Sequence, residues 1–206
     1  MAYQSTWYFS DVPKDIVANI EADLTNSFQA QMGDSKLMGD ALNRDKRNSK
    51  NAWVPTTHWT AGFVWHYVER ANRENFLYNI RNIDGESMQF TQYGVGEFYG
   101  WHNDAGISGQ YKPVSVGNHH DGRTQDYMNE KLELVRKLSF VVQLSDPDDY
   151  EGGNLQLLAE DGKSYFAPRK RGTVVVFDSR TQHRVLKVTG GLRKSLVGWV
   201  VGPRWK

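Results

Sequence analysis

Apolar positions near the start of the chain recur with helical spacing. Ile16, Val17, Ile20 and Leu24 fall on one face, Pro13 suits the first turn, and Ser10 or Asp11 serves as the cap. A second helix is predicted over roughly residues 57–75, with Phe63, Val64, Tyr67, Val68 and Ala71 on one face. From about residue 77 the period shortens to two. Strands are predicted over 77–83, 86–93, 97–104, 134–145, 154–158, 164–167, 173–178, 184–188 and 193–201. Turn signals separate them: Asp84-Gly85, Gly94, Glu151-Gly152-Gly153, Asp161-Gly162, Gly172 and Gly190-Gly191. Many short strands without intervening helices imply an antiparallel sandwich or jelly roll, not a parallel sheet. The Gly-, Asn- and Asp-rich stretch over 105–130 breaks this rhythm and reads as a lid or binding loop.

The 206 residues correspond to one domain. Cysteine is absent, which excludes disulfides, iron–sulfur clusters, thiolate zinc sites and a cysteine nucleophile. Any metal must sit on His, Asp or Glu. A net charge of +1 gives no support for a nucleic-acid or membrane surface. The first fifteen residues lack a basic start and an apolar stretch, and no apolar run approaches a membrane span, so a cytoplasmic location is expected.

Six histidines are available, and two His-x-Asp triplets occur, at His102–Asp104 and His119–Asp121. Such a triplet arises easily by chance, so context must choose between them. His102 and Asp104 end a strand-like run, where alternation puts both side chains on one face. His119, His120 and Asp121 sit in a turn-rich loop, which holds ligand geometry poorly. The first pair is therefore the better ligand candidate. His183, which opens a strand after a short loop, is the expected third ligand. His58 and His66 lie in or beside the aromatic second helix and read as core or surface histidines with a hydrogen-bonded nitrogen. Two His and one Asp form the facial set of non-heme Fe(II) oxygenases, leaving adjacent positions open. A zinc hydrolase accepts the same ligands.

Arg193 discriminates between these classes. It follows the Gly190-Gly191 turn, and Ser195 shares its face. A guanidinium and a hydroxyl inside a barrel bind a carboxylate, which a 2-oxoglutarate enzyme requires and a zinc hydrolase does not. The plain alternative is a surface arginine on an edge strand. If His183 and Arg193 face inward from one hairpin, its loop needs an odd residue count, Gly190-Gly191-Leu192, or a bulge. A regular two-residue hairpin would separate them.

These residues together resemble a known family. Tyr93-x-x-Gly96-x-x-Tyr99-x-x-His102-x-Asp104, then Glu151-Gly-Gly-x-Leu155, then His183-x-Val185-x-x-Val188-Thr-x-Gly191-x-Arg193 with Trp199 resembles the prolyl 4-hydroxylase-like Fe(II)/2-oxoglutarate dioxygenases. The arginine and the closing Val-Gly-Trp look most like PKHD-type hydroxylases. The likeness extends upstream through Arg47-Asn48-Ser49, Trp53, Ala71-Asn72, Phe76 and Gln89. It implies a mainly β fold, a double-stranded β-helix over 77–203, with N-terminal helices in residues 1–76 packed on one sheet. It implies Fe(II) on His102, Asp104 and His183, and 2-oxoglutarate with its distal carboxylate on Arg193. It implies that Tyr93 matches the tyrosine that bonds the co-substrate, with Ser195 as a helper. Ser139, Val141 and Gln143 share one strand face and by analogy line the same pocket, although packing is the plain reading of Val141. The likeness also implies O2 as co-substrate, ascorbate as reductant, and hydroxylation with release of succinate and CO2. Asp104 argues for hydroxylation, because related halogenases lack this carboxylate.

A prolyl residue in a peptide or protein is the first substrate expectation. A free amino acid or small molecule is the second, and a non-catalytic jelly-roll module the third. Tyr99 and Trp101 alternate away from the His102 face and read as a second layer. Trp53 reads as core more readily than as groove. The 105–130 segment, with His119, His120 and Arg123, is expected to close over substrate. Oligomeric state leaves no mark in the sequence.

Overall fold

A computed structural model of the chain describes residues 5–36, 43–105 and 134–205. In chain order its elements are β1 (Thr6–Phe9), α1 (Lys14–Phe28), β2 (Gly33–Asp34), β3 (Arg47–Asn48), β4 (Lys50–Pro55), α2 (Thr60–Ala71), β5 (Asn82–Ile83), β6 (Ser87–Tyr93), β7 (Phe98–His102) and β8 (Leu134–Gln143). Then follow β9 (Tyr150–Gly152), β10 (Leu155–Leu158), β11 (Ser164–Phe166), β12 (Val174–Asp178), β13 (His183–Val185), β14 (Val188–Gly191) and β15 (Arg193–Pro203). The major sheet runs β1-β12-β8-β15-β6-β4-β2, with β5 also on β15. The minor sheet runs β11-β10-β13-β7-β3, and β9 pairs with β14 as a separate ribbon. All pairings are antiparallel.

Alternation along the central strands builds two cores. Met88 and Phe90 of β6, Leu138, Phe140 and Val142 of β8, Val174 and Val176 of β12, and Leu196 and Val200 of β15 face the two helices. The intervening residues of the same strands face the minor sheet, where Val141, Val175 and Phe177 meet Leu155, Leu157 and Val185. Each fully buried aliphatic or Phe side chain of this kind contributes about 1.5–3 kcal/mol by leaving water. Gly198 of β15 is required by the helix-side core, since a Cβ there would run into the Phe140 ring.

The helices differ from their predicted form at the edges. Pro13 itself is the residue before α1, and no side chain caps that end. Ser10 bonds Thr173 instead, and Asp11 pairs with Lys170. The buried stripe of α1 is Val17, Ile20, Leu24 and Phe28, with Ile16 turned to solvent. The second helix starts at Thr60, ends at Ala71 and continues as a wider turn over Asn72–Phe76. Leu77 then adopts φ 55° and is exposed, so most of the strand predicted over 77–83 does not form. The Asn72 side chain holds this corner, accepting from Tyr78 N–H at 2.8 Å and donating to Tyr78 O at 2.9 Å. Trp53 points out of β4 and is 53% exposed, so it belongs to neither core.

The hairpin expected between His183 and Arg193 is absent. β13 belongs to the minor sheet and β15 to the major one, and Val188–Gly191 lies between them as β14, paired with β9. Gly191 makes the crossing possible: its φ is 71°, and a Cβ would collide with Asp149 O. Loop parity therefore does not set their faces, because the two residues approach one cavity from opposite sheets.

The predicted 105–130 loop, with His119, His120, Asp121 and Arg123, lies outside the described residues beyond its first position. No described helix is long and apolar enough to cross a membrane.

Candidate metal and co-substrate site

β7 and β13 are neighbours in the minor sheet, with His102 directly opposite His183. Asp104 lies two residues past the end of β7, and its N–H is tied to Ser179 O at 2.9 Å. This anchoring replaces the strand geometry predicted for Asp104. His102 Nε2 is 3.7 Å from one Asp104 oxygen, and His183 Nε2 is 3.4 Å from the other. The three ligand atoms lie within 4.8 Å of one another.

The donor set fits a divalent metal. Nδ1–H of His102 donates to Gly100 O at 2.8 Å, and Nδ1–H of His183 donates to Thr181 O at 3.0 Å. Each bond fixes the tautomer that leaves Nε2 a lone pair toward the site. Tyr99 stacks on His102 with ring centroids 3.5 Å apart, and Phe177 sits against His183 at 4.7 Å. These rings hold the imidazoles in place. Burial, reinforced by His183 nearby, lowers the pKa of His102 to about 4. The ring is therefore neutral near pH 7. Burial alone would raise the Asp104 carboxyl, but the two imidazoles and the Ser139 hydroxyl outweigh it and keep it ionised. Ser139 Oγ donates to Asp104 at 2.7 Å. The Trp199 indole faces the same carboxyl and lowers it further.

Deeper along β15, Arg193 is 1% exposed. Its guanidinium donates to Gln143 Oε1 at 2.9 Å and to Ser195 Oγ at 3.3 Å, and Nε is buried with no partner. No described carboxylate pairs with it. A buried cation left uncompensated costs several kcal/mol, so this position calls for an anion. Tyr93, opposite Arg193 in register, closes the same end.

One cavity joins these groups. It is lined by His102, Asp104, His183, Arg193, Ser195, Tyr93, Val141 and Trp199, among others. Ser139 and Gln143 do not line it. They act from behind, Ser139 on Asp104 and Gln143 on Arg193. Tyr99, predicted as second layer, is a wall of the cavity, whereas Trp101 does face outward under Arg184. Burial pushes the Tyr99 phenol up to about 12, so it remains protonated.

Arg47, Gln89 and Thr91 also line the cavity and were not assigned roles from the sequence. Gln89 and Thr91 alternate with Tyr93 on β6, so period two could have found them; nothing local marks Arg47. His58 bonds Thr60 and lies 3.4 Å from Asp23, and His66 is exposed; neither joins a metal-binding group among the described residues.

The family model described as the 2OG-Fe(II) oxygenase superfamily matches residues 88–201. A PKHD-type hydroxylase of Picosynechococcus sp. is 32% identical over 184 residues, covering 88% of this chain and 72% of that protein. Among solved structures, a prolyl-4-hydroxylase of Pseudomonas putida superposes with TM-score 0.68 at 19% identity, covering 98% of this chain and 94% of the other. A prolyl hydroxylase of Trichoplax adhaerens, solved with a hypoxia inducible factor peptide fragment, gives TM-score 0.71 at 16% identity, covering 96% and 84%. The fold likeness and the site's donors agree with the sequence match: the chain belongs to the 2OG-Fe(II) oxygenase superfamily and is a 2-oxoglutarate-dependent dioxygenase.

Proposed function

We propose that this dioxygenase hydroxylates a C–H bond of a prolyl residue in a peptide or protein, releasing succinate and CO2. The observation that carries the reading is Arg193, a buried guanidinium without a carboxylate, opening on the same cavity as a His-Asp-His trio. The prolyl assignment rests on similarity to PKHD-type and prolyl hydroxylases, one of them solved with a peptide.

In this reading His102, Asp104 and His183 hold Fe(II), which supplies the O2 chemistry when bound with 2-oxoglutarate. Arg193 and Ser195 bind the distal carboxylate, and Gln143 orients the guanidinium by accepting one of its N–H groups. Tyr93 closes the co-substrate end, with its ring centroid 5.5 Å from the Arg193 guanidinium carbon. Ser139 positions Asp104, and Val141, Leu155 and Val185 exclude water from the space between. Ascorbate enters as a reductant by family resemblance alone.

The test is anaerobic titration with Fe(II) and 2-oxoglutarate, followed by the visible charge-transfer band of a chelated keto acid. Wild type should show the band, and His183→Ala should lose it. Aerobic incubation with proline-containing peptides should then add one oxygen by mass spectrometry. A folded wild-type protein without the band would overturn the assigned site.

A further inference from the structure

Arg47 is a second buried guanidinium in the cavity, 6% exposed. It is dressed as Arg193 is. Nε donates to Ser49 Oγ at 3.0 Å and Nη2 to Gln89 Oε1 at 3.1 Å. Its guanidinium carbon is 4.7 Å from the centre of the Tyr99 ring, the same ring that stacks on His102. Among the described residues no carboxylate pairs with it. Half-buried arginines elsewhere do find acids: Arg136 pairs with Asp84, and Arg171 with Glu21.

Register separates the roles of the two arginines. Along β15, Arg193 is opposite Tyr93, whereas Gln89, which holds Arg47, is opposite Val197. Four residues of strand span about 13 Å. Trp199, two residues beyond Val197, is opposite Ser139, the partner of Asp104. Arg47 therefore stands close to the level of the metal trio and far from the Arg193 end. A five-carbon diacid anchored on Arg193 and chelating the metal does not extend to it. Charge points the same way. A divalent metal and two guanidiniums exceed Asp104 and a dicarboxylate co-substrate by one positive charge, which a further anion would neutralise. Thr91, which lines the cavity, has its hydroxyl buried without a partner and adds a polar group for a ligand.

We propose that Arg47, held by Ser49 and Gln89, anchors a carboxylate of the primary substrate and so seats the C–H bond at the metal. This rests on the dioxygenase reading of the same cavity. The carboxylate is that of a free amino acid or a peptide terminus; both present the same group to the guanidinium fork.

The experiment loads the full chain anaerobically with Fe(II) and 2-oxoglutarate and titrates three probes: L-proline, acetyl-Gly-Pro and acetyl-Gly-Pro amide. The readout is perturbation of the charge-transfer band, which needs no turnover. In wild type the acid should bind about tenfold or more tighter than its amide, as expected for one charge-assisted contact. Arg47→Gln should erase that difference. Gln89→Glu is the control against a purely structural role: it keeps Arg47 in place but supplies an internal carboxylate, and it too should abolish the preference for the acid. L-Proline binding as tightly as acetyl-Gly-Pro identifies the free amino acid as the source, and weaker binding identifies the peptide terminus. Equal affinity for acid and amide in wild type, or a preference that survives in both variants, overturns the proposal while leaving the prolyl reading intact. A band that no probe perturbs overturns this proposal and the prolyl substrate together. Absence of the band itself overturns the cofactor site beneath both.

Discussion

The two buried arginines of the cavity carry similar side-chain partners but are held by different parts of the fold. Arg193 and both its partners, Gln143 and Ser195, lie on adjacent strands of the major sheet. Arg47 sits on the edge strand of the minor sheet, and its bond to Gln89 crosses to the major one. The deep end of the cavity is thus built within one sheet, and the end near the metal is built across two. With the roles proposed for the two arginines, the co-substrate would be held within one sheet and the substrate between two. The comparison also separates electrostatic from structural roles, since each cradle can be altered without touching the other.

The largest effect is expected at the His-Asp-His trio that would hold the metal. His183→Ala or Asp104→Ala should abolish the Fe(II)–2-oxoglutarate band and iron-dependent turnover, measured anaerobically and aerobically on the same preparation. Arg193→Ala removes only the deep end. It should weaken 2-oxoglutarate binding on the order of 100-fold, the loss of a buried charge-assisted pair, read from the co-substrate titration. An unchanged 2-oxoglutarate affinity would remove Arg193 from that role. Ser139→Ala tests support from behind: metal affinity should fall about 10- to 100-fold, measured by competition with a chelator.

The smallest effect concerns pH. The pKa of His102 falls from 6.5 in the unfolded chain to about 4 in the folded one, chiefly through burial. The unfolded state therefore binds more protons between those values, and stability rises with pH across that window. Denaturant unfolding of the metal-free protein should show stability falling as pH drops from 6.5 toward 4. His102→Asn should flatten that slope, whereas Arg47→Gln should leave its sign unchanged.

Much of the site is legible in one dimension. His102 and Asp104 are separated by a single residue, which keeps them close, although the bond of Asp104 N–H to Ser179 O rather than strand geometry fixes the second. Arg193 and Ser195 are likewise close, on one strand face. The errors cluster where local period gives way to tertiary contact. Tyr99 alternates with His102's neighbours yet stacks on its ring, because the β7–β13 ladder shifts register there: His183 to Val185 on β13 spans the same length as His102 to Tyr99 on β7. Ile16 fits the helical stripe but lies about 100° round the helix from its neighbour Val17, which takes the buried position. Trp53 looks like core by size, yet alternation with buried Ala52 and Val54 turns it outward.

By itself the sequence determined the alternation that makes the sheets and, through its family resemblance, the reaction class; of the candidate trio His102, Asp104 and His183, only the first two are brought near by a short spacing. Only the tertiary structure decided how His183 and Arg193 meet. They arrive from opposite sheets through a ribbon that replaces the expected hairpin. Only it placed Arg47 beside Gln89, residues whose nearness no local rule encodes. The physical reason is that antiparallel sheets join distant segments through backbone hydrogen bonds, which carry no signature of their partner in the side-chain pattern.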